Sequence, residues 1–153
     1  MKSQKPKPKI KYTVQKKEKK GSRAEEPYIA WDLSKASAKI SSGLATGILS
    51  IIQNRLEISN KDLSELLLIS PRTLDRRKKE AVLPADESER SFRIARLTDL
   101  ASEILGSMEK ASVWFKQPNF SLGNKPPIEM VKTEPGARLV ERTLHQIRHG
   151  ITV

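Results

Sequence analysis

The chain has 153 residues, no cysteine and a formal net charge of +11. The lack of cysteine excludes a disulfide scaffold and a cysteine-ligated zinc site. No apolar run approaches the roughly 18 residues of a transmembrane helix, and no apolar segment follows the basic N-terminus as in a signal peptide. We therefore expect a cytoplasmic protein of one or two small domains that does not contact a membrane.

The first 26 residues differ in composition from the rest. Most of the excess positive charge lies in residues 1–23, which contain Lys2, Lys5, Lys7, Lys9, Lys11, Lys16, Lys17, Lys19, Lys20 and Arg23 against Glu18. Such a segment has too few apolar groups to fold, so residues 1–26 are predicted to be a disordered basic arm. The arm could add sequence-independent affinity for DNA by releasing counterions, or it could be only a solubilising tail.

Apolar residues recur at three-to-four spacing after this arm. They predict one amphipathic helix over about residues 34–54. Gly43 and Gly47 lie within it and indicate either close helix packing or a weakened middle. We expect this helix to support the segment that follows.

Residues 59–80 have the pattern of two short helices joined by a tight turn. Ser59 and Asp62 form a capping-box pattern before an apolar run. Ser70 followed by Pro71 is a typical start for a second helix. This is the layout of a helix-turn-helix, in which the second helix enters the major groove of DNA.

The second of these helices has a cationic outer face. With Leu74 as the buried anchor, a rotation of 100° per residue places Lys78 and Ala81 near the inner face. The predicted DNA contacts are Arg72, Thr73 and Arg76 at or near base edges, Arg77 and Lys79 at the phosphate backbone, and Ser70 at the start of the helix. A solvated basic helix in an all-helical domain is the alternative.

Leu68 lies in the turn, where a helix-turn-helix often has glycine because a positive φ costs glycine little. Either the turn avoids that conformation or Leu68 is strained. This departure leaves open a protein-interaction module whose helix-turn-helix no longer binds DNA.

A long helix is predicted after Pro84, with Asp86 as its cap and Gly106 at its end. Its apolar stripe consists of Phe92, Ala95, Leu97, Leu100, Ala101, Ile104 and Leu105. We interpret it as the bridge between a helix-turn-helix domain, residues 27–97, and a second domain, residues 98–153. The stripe could support a dimer contact or be used entirely by the intrachain core.

The last third is predicted to be helical, with turns marked by proline, asparagine and glycine. A helix over about residues 108–116 is followed by turns at residues 118–119 and 122–124 and by a short apolar run at residues 128–131. Thr133 can cap a final helix that Gly150 ends. One side of this helix carries Leu139, Val140, Leu144 and Ile147.

No pattern indicates an enzyme, a metal site or a cofactor. His145 and His149 are four residues apart, but no glutamate lies between them as in a metalloprotease helix. The acidic residues are scattered at caps and turns, and there is no glycine-rich phosphate loop.

Residues 63–153 resemble the Xre/MbcA/ParS family of antitoxins. In the second helix the match consists of Arg72-Thr73-Leu74 and Arg76-Arg77. In the last third it consists of Ala111, Trp114-Phe115, Pro118-Asn119, Leu122-Gly123, Pro126 or Pro127, Thr133, Gly136, Leu144 and His149-Gly150. The sequence departs from the family at Leu68 and at Phe115, where a smaller aliphatic residue is common. The resemblance implies an all-α fold in which a small helical toxin-binding domain follows the helix-turn-helix.

Members of this family are usually encoded beside a toxin with the NAD-consuming RES domain. The resemblance therefore implies an antitoxin that occludes the active site of such a toxin and represses its own promoter. A tail that leaves the last helix at Gly150 is a plausible plug for a nucleotide pocket. The predicted toxin contacts are Arg148, His149, Gly150, Ile151 and Val153.

Three partners follow from this interpretation: the cognate toxin, operator DNA and a second copy of the chain. A homodimer is expected because paired recognition helices one DNA turn apart match a palindromic site. The alternatives are a tail that only frays and a stand-alone transcriptional regulator whose last domain only dimerises.

Overall fold

The computed structural model describes residues 26–151. The predicted basic arm, apart from Glu26, and the predicted toxin contact Val153 lie outside the described residues. The helices are α1 (Leu33–Ser42), α2 (Gly47–Leu56), α3 (Asn60–Leu66), α4 (Pro71–Arg77), α5 (Ala85–Leu105), α6 (Met108–Lys116), α7 (Pro127–Met130) and α8 (Glu134–Arg148), with short 3-10 helices at Tyr28–Ala30 and Phe120–Leu122. The prediction of an all-α fold is confirmed.

The prediction of one helix over residues 34–54 is wrong, because the helix is interrupted at Gly43, between α1 and α2. Gly43 has φ +89°, and a Cβ there would lie 2.6 Å from the carbonyl oxygen of Leu83. Only glycine permits this close approach and this backbone conformation. The N–H of Leu83 donates to the carbonyl of Leu44, 2.8 Å away, so the link before α5 is fixed to the start of α2.

The helix-turn-helix prediction is confirmed in its local details. The Ser59 side chain accepts from the backbone N–H of Asp62, and the Asp62 carboxylate accepts from the N–H of Ser59, which completes the capping box of α3. α4 begins at Pro71 behind the Ser70 cap. Leu68, in the turn, has φ +56°, so this residue takes the strained left-handed conformation.

α5 is the central element of the fold and packs against α1, α2, α6 and α8. It begins at Ala85 with Pro84 in the cap position, so the prediction that Asp86 caps it is wrong. Asp86 lies instead in the first turn and pairs with Arg90, 2.9 Å away. Gly106 ends the helix with φ +92°, as predicted.

The apolar stripe of α5 is used by the intrachain core. Ala95, Leu97, Leu100 and Ala101 are buried in one cluster with side chains from both halves of the chain. The predicted domain boundary between residues 97 and 98 lies inside this helix.

An ion pair and an aromatic cluster hold the N-terminal segment on α5. The N–H of Ile29 donates to Asp99, whose carboxylate also pairs with Arg55 of α2 at 2.8 Å. Burial raises the pKa of Asp99, and the charge of Arg55 opposes this shift. Trp31 stacks on Phe92 of α5 with 5.7 Å between ring centroids.

α8 lies parallel to α5 and closes the second half of the fold. Two ion pairs join the helices in the same order along both, Arg96 with Glu141 at 2.7 Å and Glu103 with Arg148. Thr133 caps α8 as predicted. Of the side chains predicted along one side of α8, Val140 and Leu144 are buried, Ile147 is half-buried and Leu139 is exposed.

Candidate functional site

The first turn of α4 is fixed by two hydroxyl groups. The Oγ of Ser70 accepts from the backbone N–H of Thr73, 3.0 Å away, and the two side-chain oxygens are 2.9 Å apart. Pro71 fills the first helical position, where a missing N–H costs nothing. Ser70 and Thr73 therefore set the direction in which α4 leaves the turn.

Four cations of α4 and its C-terminal end are exposed, and three of them make no contact with another helix. Arg72, Arg76 and Lys79 are exposed, while Leu74 on the other side is fully buried. Arg76 lies 3.7 Å from Glu80, a long and exposed contact. Among the described residues Arg72 and Lys79 have no acidic partner, so their charges are available to an anionic ligand.

Arg77, predicted to contact the DNA backbone, points inward instead. Its Nε and Nη2 donate to the two carboxylate oxygens of Glu87 at 2.7 and 2.8 Å, and its Nη1 donates to Glu80 at 3.0 Å. These hydrogen bonds, that of Glu87 first, raise the pKa of Arg77. The guanidinium is engaged within the fold, and we leave Arg77 out of the cationic surface.

The predicted inner face of the second helix also needs correction. α4 ends at Arg77, so Ala81 lies beyond it and is exposed. Lys78 is exposed too, and its Nζ donates to Gln53 and Asn60 at 3.1 and 2.6 Å. The prediction of the inner face was wrong because a rotation of 100° per residue cannot be extended past the end of a helix.

The C-terminal end of α8 forms a Schellman motif. The N–H of Gly150 donates to Ile147 and the N–H of Ile151 to Gln146, both at 3.0 Å, with Gly150 at φ +70°. Arg148 is exposed but pairs with Glu103 of α5, and the next three residues, His149, Gly150 and Ile151, are exposed as well. The chain therefore leaves α8 in a defined direction, with its last described side chains uncovered.

Three exposed apolar side chains were missed in the sequence. Leu33 is 90% exposed at the start of α1, Phe120 is 82% exposed in the second 3-10 helix, and Val113 is about half exposed on α6. Val113 lies with Leu105 and Trp114 in a shallow groove. Periodicity gives no signal for such residues, because it predicts which faces are apolar and not which of them are left uncovered.

In the part of the chain that the structure describes, no helix is long and apolar enough to cross a membrane. No group of three or more histidine, aspartate or glutamate side chains in that part could hold a metal ion.

Two family models match consecutive parts of the chain. The antitoxin Xre-like helix-turn-helix domain matches residues 35–96, and the antitoxin Xre/MbcA/ParS C-terminal toxin-binding domain matches residues 100–150. The antitoxin Xre of Photorhabdus laumondii subsp. laumondii is 34% identical over 117 residues, which cover 75% of this chain and 79% of that protein. The chain belongs to the Xre/MbcA/ParS antitoxin family.

Two more antitoxins named Xre are similar in sequence to this chain. The antitoxin Xre of Pseudomonas putida is 36% identical over 84 residues, which cover 54% of this chain and 53% of that protein. The antitoxin Xre of Yersinia enterocolitica is 28% identical over 114 residues, which cover 73% of this chain and 77% of that protein.

A solved structure has the same fold. One chain of the crystal structure of the M. tuberculosis MbcT–MbcA toxin-antitoxin complex superposes with a TM-score of 0.56 at 23% identity. The match covers 71% of this chain and 96% of that one. In this chain α4 lies in the matched helix-turn-helix domain, and the matched toxin-binding domain ends at Gly150 in the Schellman motif of α8.

Proposed function

We propose that this chain is the antitoxin of a type II toxin-antitoxin system and neutralises a cognate toxin of the NAD-consuming RES type by occluding its active site. Membership of the antitoxin family supports the general role. The observation that carries the mechanism is the end of α8, where the exposed His149, Gly150 and Ile151 leave a toxin-binding domain in a fixed direction.

The tail suits insertion because its point of departure is rigid. The two hydrogen bonds of the Schellman motif fix Gly150 and Ile151, and the pair of Arg148 with Glu103 holds the last turn of α8 on α5. A segment held in its bound direction loses less conformational entropy on binding. Ile151 is 55% exposed, and insertion into the toxin would remove this apolar side chain from water.

The same proposal includes repression of the antitoxin's own promoter through α4. In this proposal Arg72 and Arg76 contact guanine edges or phosphates, Thr73 contacts a phosphate or a thymine methyl group, and Lys79 contacts the backbone. Support comes from the exposure of the three cations beside the buried Leu74 and from the family match over residues 35–96. Two copies of the chain would read the two halves of a palindromic operator.

The test is growth rescue during expression of the toxin encoded beside this chain, with co-purification of the pair and cellular NAD as second readouts. Two changes address the tail: a chain shortened to end at Gly150 and the substitution Ile151→Asp. We expect both variants to lose most of the rescue and the NAD protection, because the plug is missing or charged. Arg142→Ala, exposed on α8 about two turns before the tail, is the control and should rescue fully.

Two results would contradict parts of this proposal. Full rescue by the chain that ends at Gly150 would exclude the plug and leave neutralisation to another surface of the toxin-binding domain. If the full chain neither binds the toxin nor rescues growth, yet binds one DNA sequence specifically, the protein is a stand-alone regulator.

A further inference from the structure

Asp75 is the one acidic residue of α4, the helix proposed to enter the major groove. Its side chain is exposed, and among the described residues it has no hydrogen bond and no ion pair. A carboxylate on a surface that faces DNA repels the phosphates. The presence of Asp75 on this helix therefore needs a physical reason.

The stability of α4 does not supply that reason. Aspartate is a poor helix former in the interior of a helix. Asp75 lies five residues after the cap Ser70, beyond the first turn in which the helix dipole favours an acidic side chain. The neighbouring Leu74, which is fully buried, anchors the helix in the core.

Asp75 also lacks the ion pair that its spacing would allow. Arg72 lies three residues before it, and side chains three or four residues apart are neighbours on the surface of a helix. Other helices of the chain form ion pairs at a spacing of four, namely Arg90–Asp86, Arg93–Glu89 and Arg138–Glu134. In the part of the chain that the structure describes, Asp75 and Arg72 are paired neither with each other nor with another residue, so both are open to an external ligand.

The helix places Asp75 at the edge of the outer face of α4. At 100° per residue from the buried Leu74, the order around this face is Asp75, Arg72, Arg76 and Thr73, and all four lie within the observed helix. Asp75 and Arg72 differ by about 60° in direction and by about 4.5 Å along the axis. Because one base-pair step is ~3.4 Å, the two side chains can contact the same base pair or two adjacent ones.

We propose that Asp75 recognises a cytosine in each half of the operator by accepting a hydrogen bond from its N4 amino group in the major groove. This rests on the proposed repression through α4 and identifies a base that the helix selects. A carboxylate can only accept hydrogen bonds. The polar groups of guanine and thymine in the major groove are acceptors, whereas cytosine N4 and adenine N6 are donors.

Cytosine matches the carboxylate better than adenine does. Adenine places the acceptor N7 beside its N6 donor, so one carboxylate oxygen would face another acceptor. Cytosine presents its donor alone. The guanine paired with it presents O6 and N7, the two acceptors that an arginine binds bidentately, and Arg72 lies next to Asp75 on the helix. Asp75 and Arg72 together are complementary to a C·G base pair.

The charge of Asp75 acts chiefly on the sequences that the helix rejects. Near the phosphates it repels any DNA, and a cytosine amino group at the right position offsets this repulsion. A guanine or thymine at that position faces the carboxylate with an acceptor, which leaves a desolvated charge unpaired. Asp75 therefore weakens non-specific binding more than it weakens binding to the operator.

The experiment uses a pool of random-sequence duplex DNA, from which the full chain selects its preferred sites for sequencing. For the wild type we expect cytosine at one position of each half-site. Asp75→Asn should change this base to adenine, because an amide pairs bidentately with adenine N6 and N7. Asp75→Ala should accept any base there and should bind the unselected pool more tightly. The other positions of the motif should stay the same.

Glu65→Gln is the matched control. It removes one exposed carboxylate from α3, so the net charge changes as in Asp75→Asn, but Glu65 lines a separate surface with Ile128 and Lys132. This variant should select the wild-type motif. Circular dichroism should show the same helical content in all variants, because the side chains at positions 65 and 75 are exposed.

A modified base tests the hydrogen bond itself. N4-methylcytosine still pairs with guanine, but a methyl group replaces the hydrogen that faces the major groove. Placed in the selected duplex, it should weaken wild-type binding at least about tenfold, as expected for the loss of a hydrogen bond to a charged group. It should leave the affinity of Asp75→Ala unchanged. Fluorescence anisotropy measures both affinities.

Three results would overturn the role of Asp75. The first is one and the same motif for the wild type, Asp75→Asn and Asp75→Ala. The second is a change at a position where the wild type does not select cytosine, and the third is equal weakening of the wild type and Asp75→Ala by N4-methylcytosine. A wild type that selects no motif overturns the proposed repression as well. Growth rescue by the Asp75 variants should equal that of the wild type, so a failure to neutralise the toxin is recognised separately.

Discussion

The backbone at Leu68 shows what a single residue costs in this fold. Its φ of +56° is a conformation that disfavours a non-glycine residue by roughly 1–2 kcal/mol. Glycine relieves that strain but loses about 0.5–1 kcal/mol through the greater freedom of the unfolded chain. Because Leu68 is more than half exposed, little packing is lost with its side chain. Leu68→Gly is therefore expected to raise the free energy of unfolding by up to about 1 kcal/mol, as measured by urea denaturation.

Leu68→Ala is the matched control, since alanine removes the side chain but keeps the Cβ that causes the strain. It should be no more stable than the wild type. A loss of stability in both variants would mean that the Leu68 side chain packs more strongly than its exposure suggests, and it would remove strain as the explanation for the turn.

Residue-level features set by near neighbours were predictable from the sequence. The caps Ser59, Ser70 and Thr133 and the helix ends at Gly106 and Gly150 depend on residues within one turn. The role of Arg77 was not predictable, because Glu87 reaches it only after the chain has turned from α4 into α5. An arginine on a basic helix gives the same sequence signal whether it contacts DNA or a buried carboxylate.

At the scale of the helix, the pair of Arg77 with Glu87 fixes the C-terminal end of α4 on the first turn of α5. Both side chains are largely buried, and the contact is bidentate. Ser70 caps the N-terminal end of α4, the buried Leu74 lies in its middle, and Arg77 lies at its C-terminal end. Each end of this short helix therefore has its own restraint. We infer that Arg77 orients α4 and does not itself contact DNA.

Glu87→Gln separates these two roles for Arg77. As an orienting residue, Arg77 needs Glu87, so the variant should lose several-fold in affinity for the operator while the slope of log K against log salt stays unchanged. If Arg77 contacted a phosphate, release from Glu87 would leave binding equal or stronger. Arg76→Ala is the comparison and should reduce the salt slope by about one phosphate contact. Fluorescence anisotropy at several salt concentrations gives both quantities, and the melting temperature checks that the variants fold.

Helix boundaries were predictable where the stop signal is local and not where it is tertiary. α6 was predicted over its observed residues, whereas the break between α1 and α2 was not, because it depends on the approach of Leu83 to Gly43. In the sequence, Gly43 and Gly47 indicated only close helix packing or a weakened middle of one continuous helix. The start of α5 was misplaced because Pro84, with no side-chain hydrogen bond, occupies the cap position.

In the whole molecule, the parts proposed to bind DNA and to bind the toxin are both attached to α5. α5 holds α4 through Glu87 near its start and α8 through Arg96 and Glu103 along its length, while one core runs beneath both halves. The helix proposed to bind DNA and the tail proposed to bind the toxin are thus attached to the same element. The sequence predicted α5 as a bridge, but it gave no signal for the groove that α5 forms with the start of α1 and with α8, because that groove depends on tertiary packing.

The charge distribution of the whole chain leads to the last prediction. Residues 1–23 contain ten cations and one anion, whereas the cationic surface of α4 and its C-terminal end consists of Arg72, Arg76 and Lys79. Each phosphate neutralised contributes about −0.9 to the slope of log K against log salt, so an arm that uses half of its cations adds about −4 to −5. Deletion of residues 1–23 should flatten the slope by that amount and weaken binding to specific and non-specific DNA alike. An arm of equal length with each Lys replaced by Gln should behave like the deletion, because the effect depends on charge and not on chain length. An unchanged slope in both variants would show that the segment does not contact DNA and would assign all phosphate contacts to the helical domain.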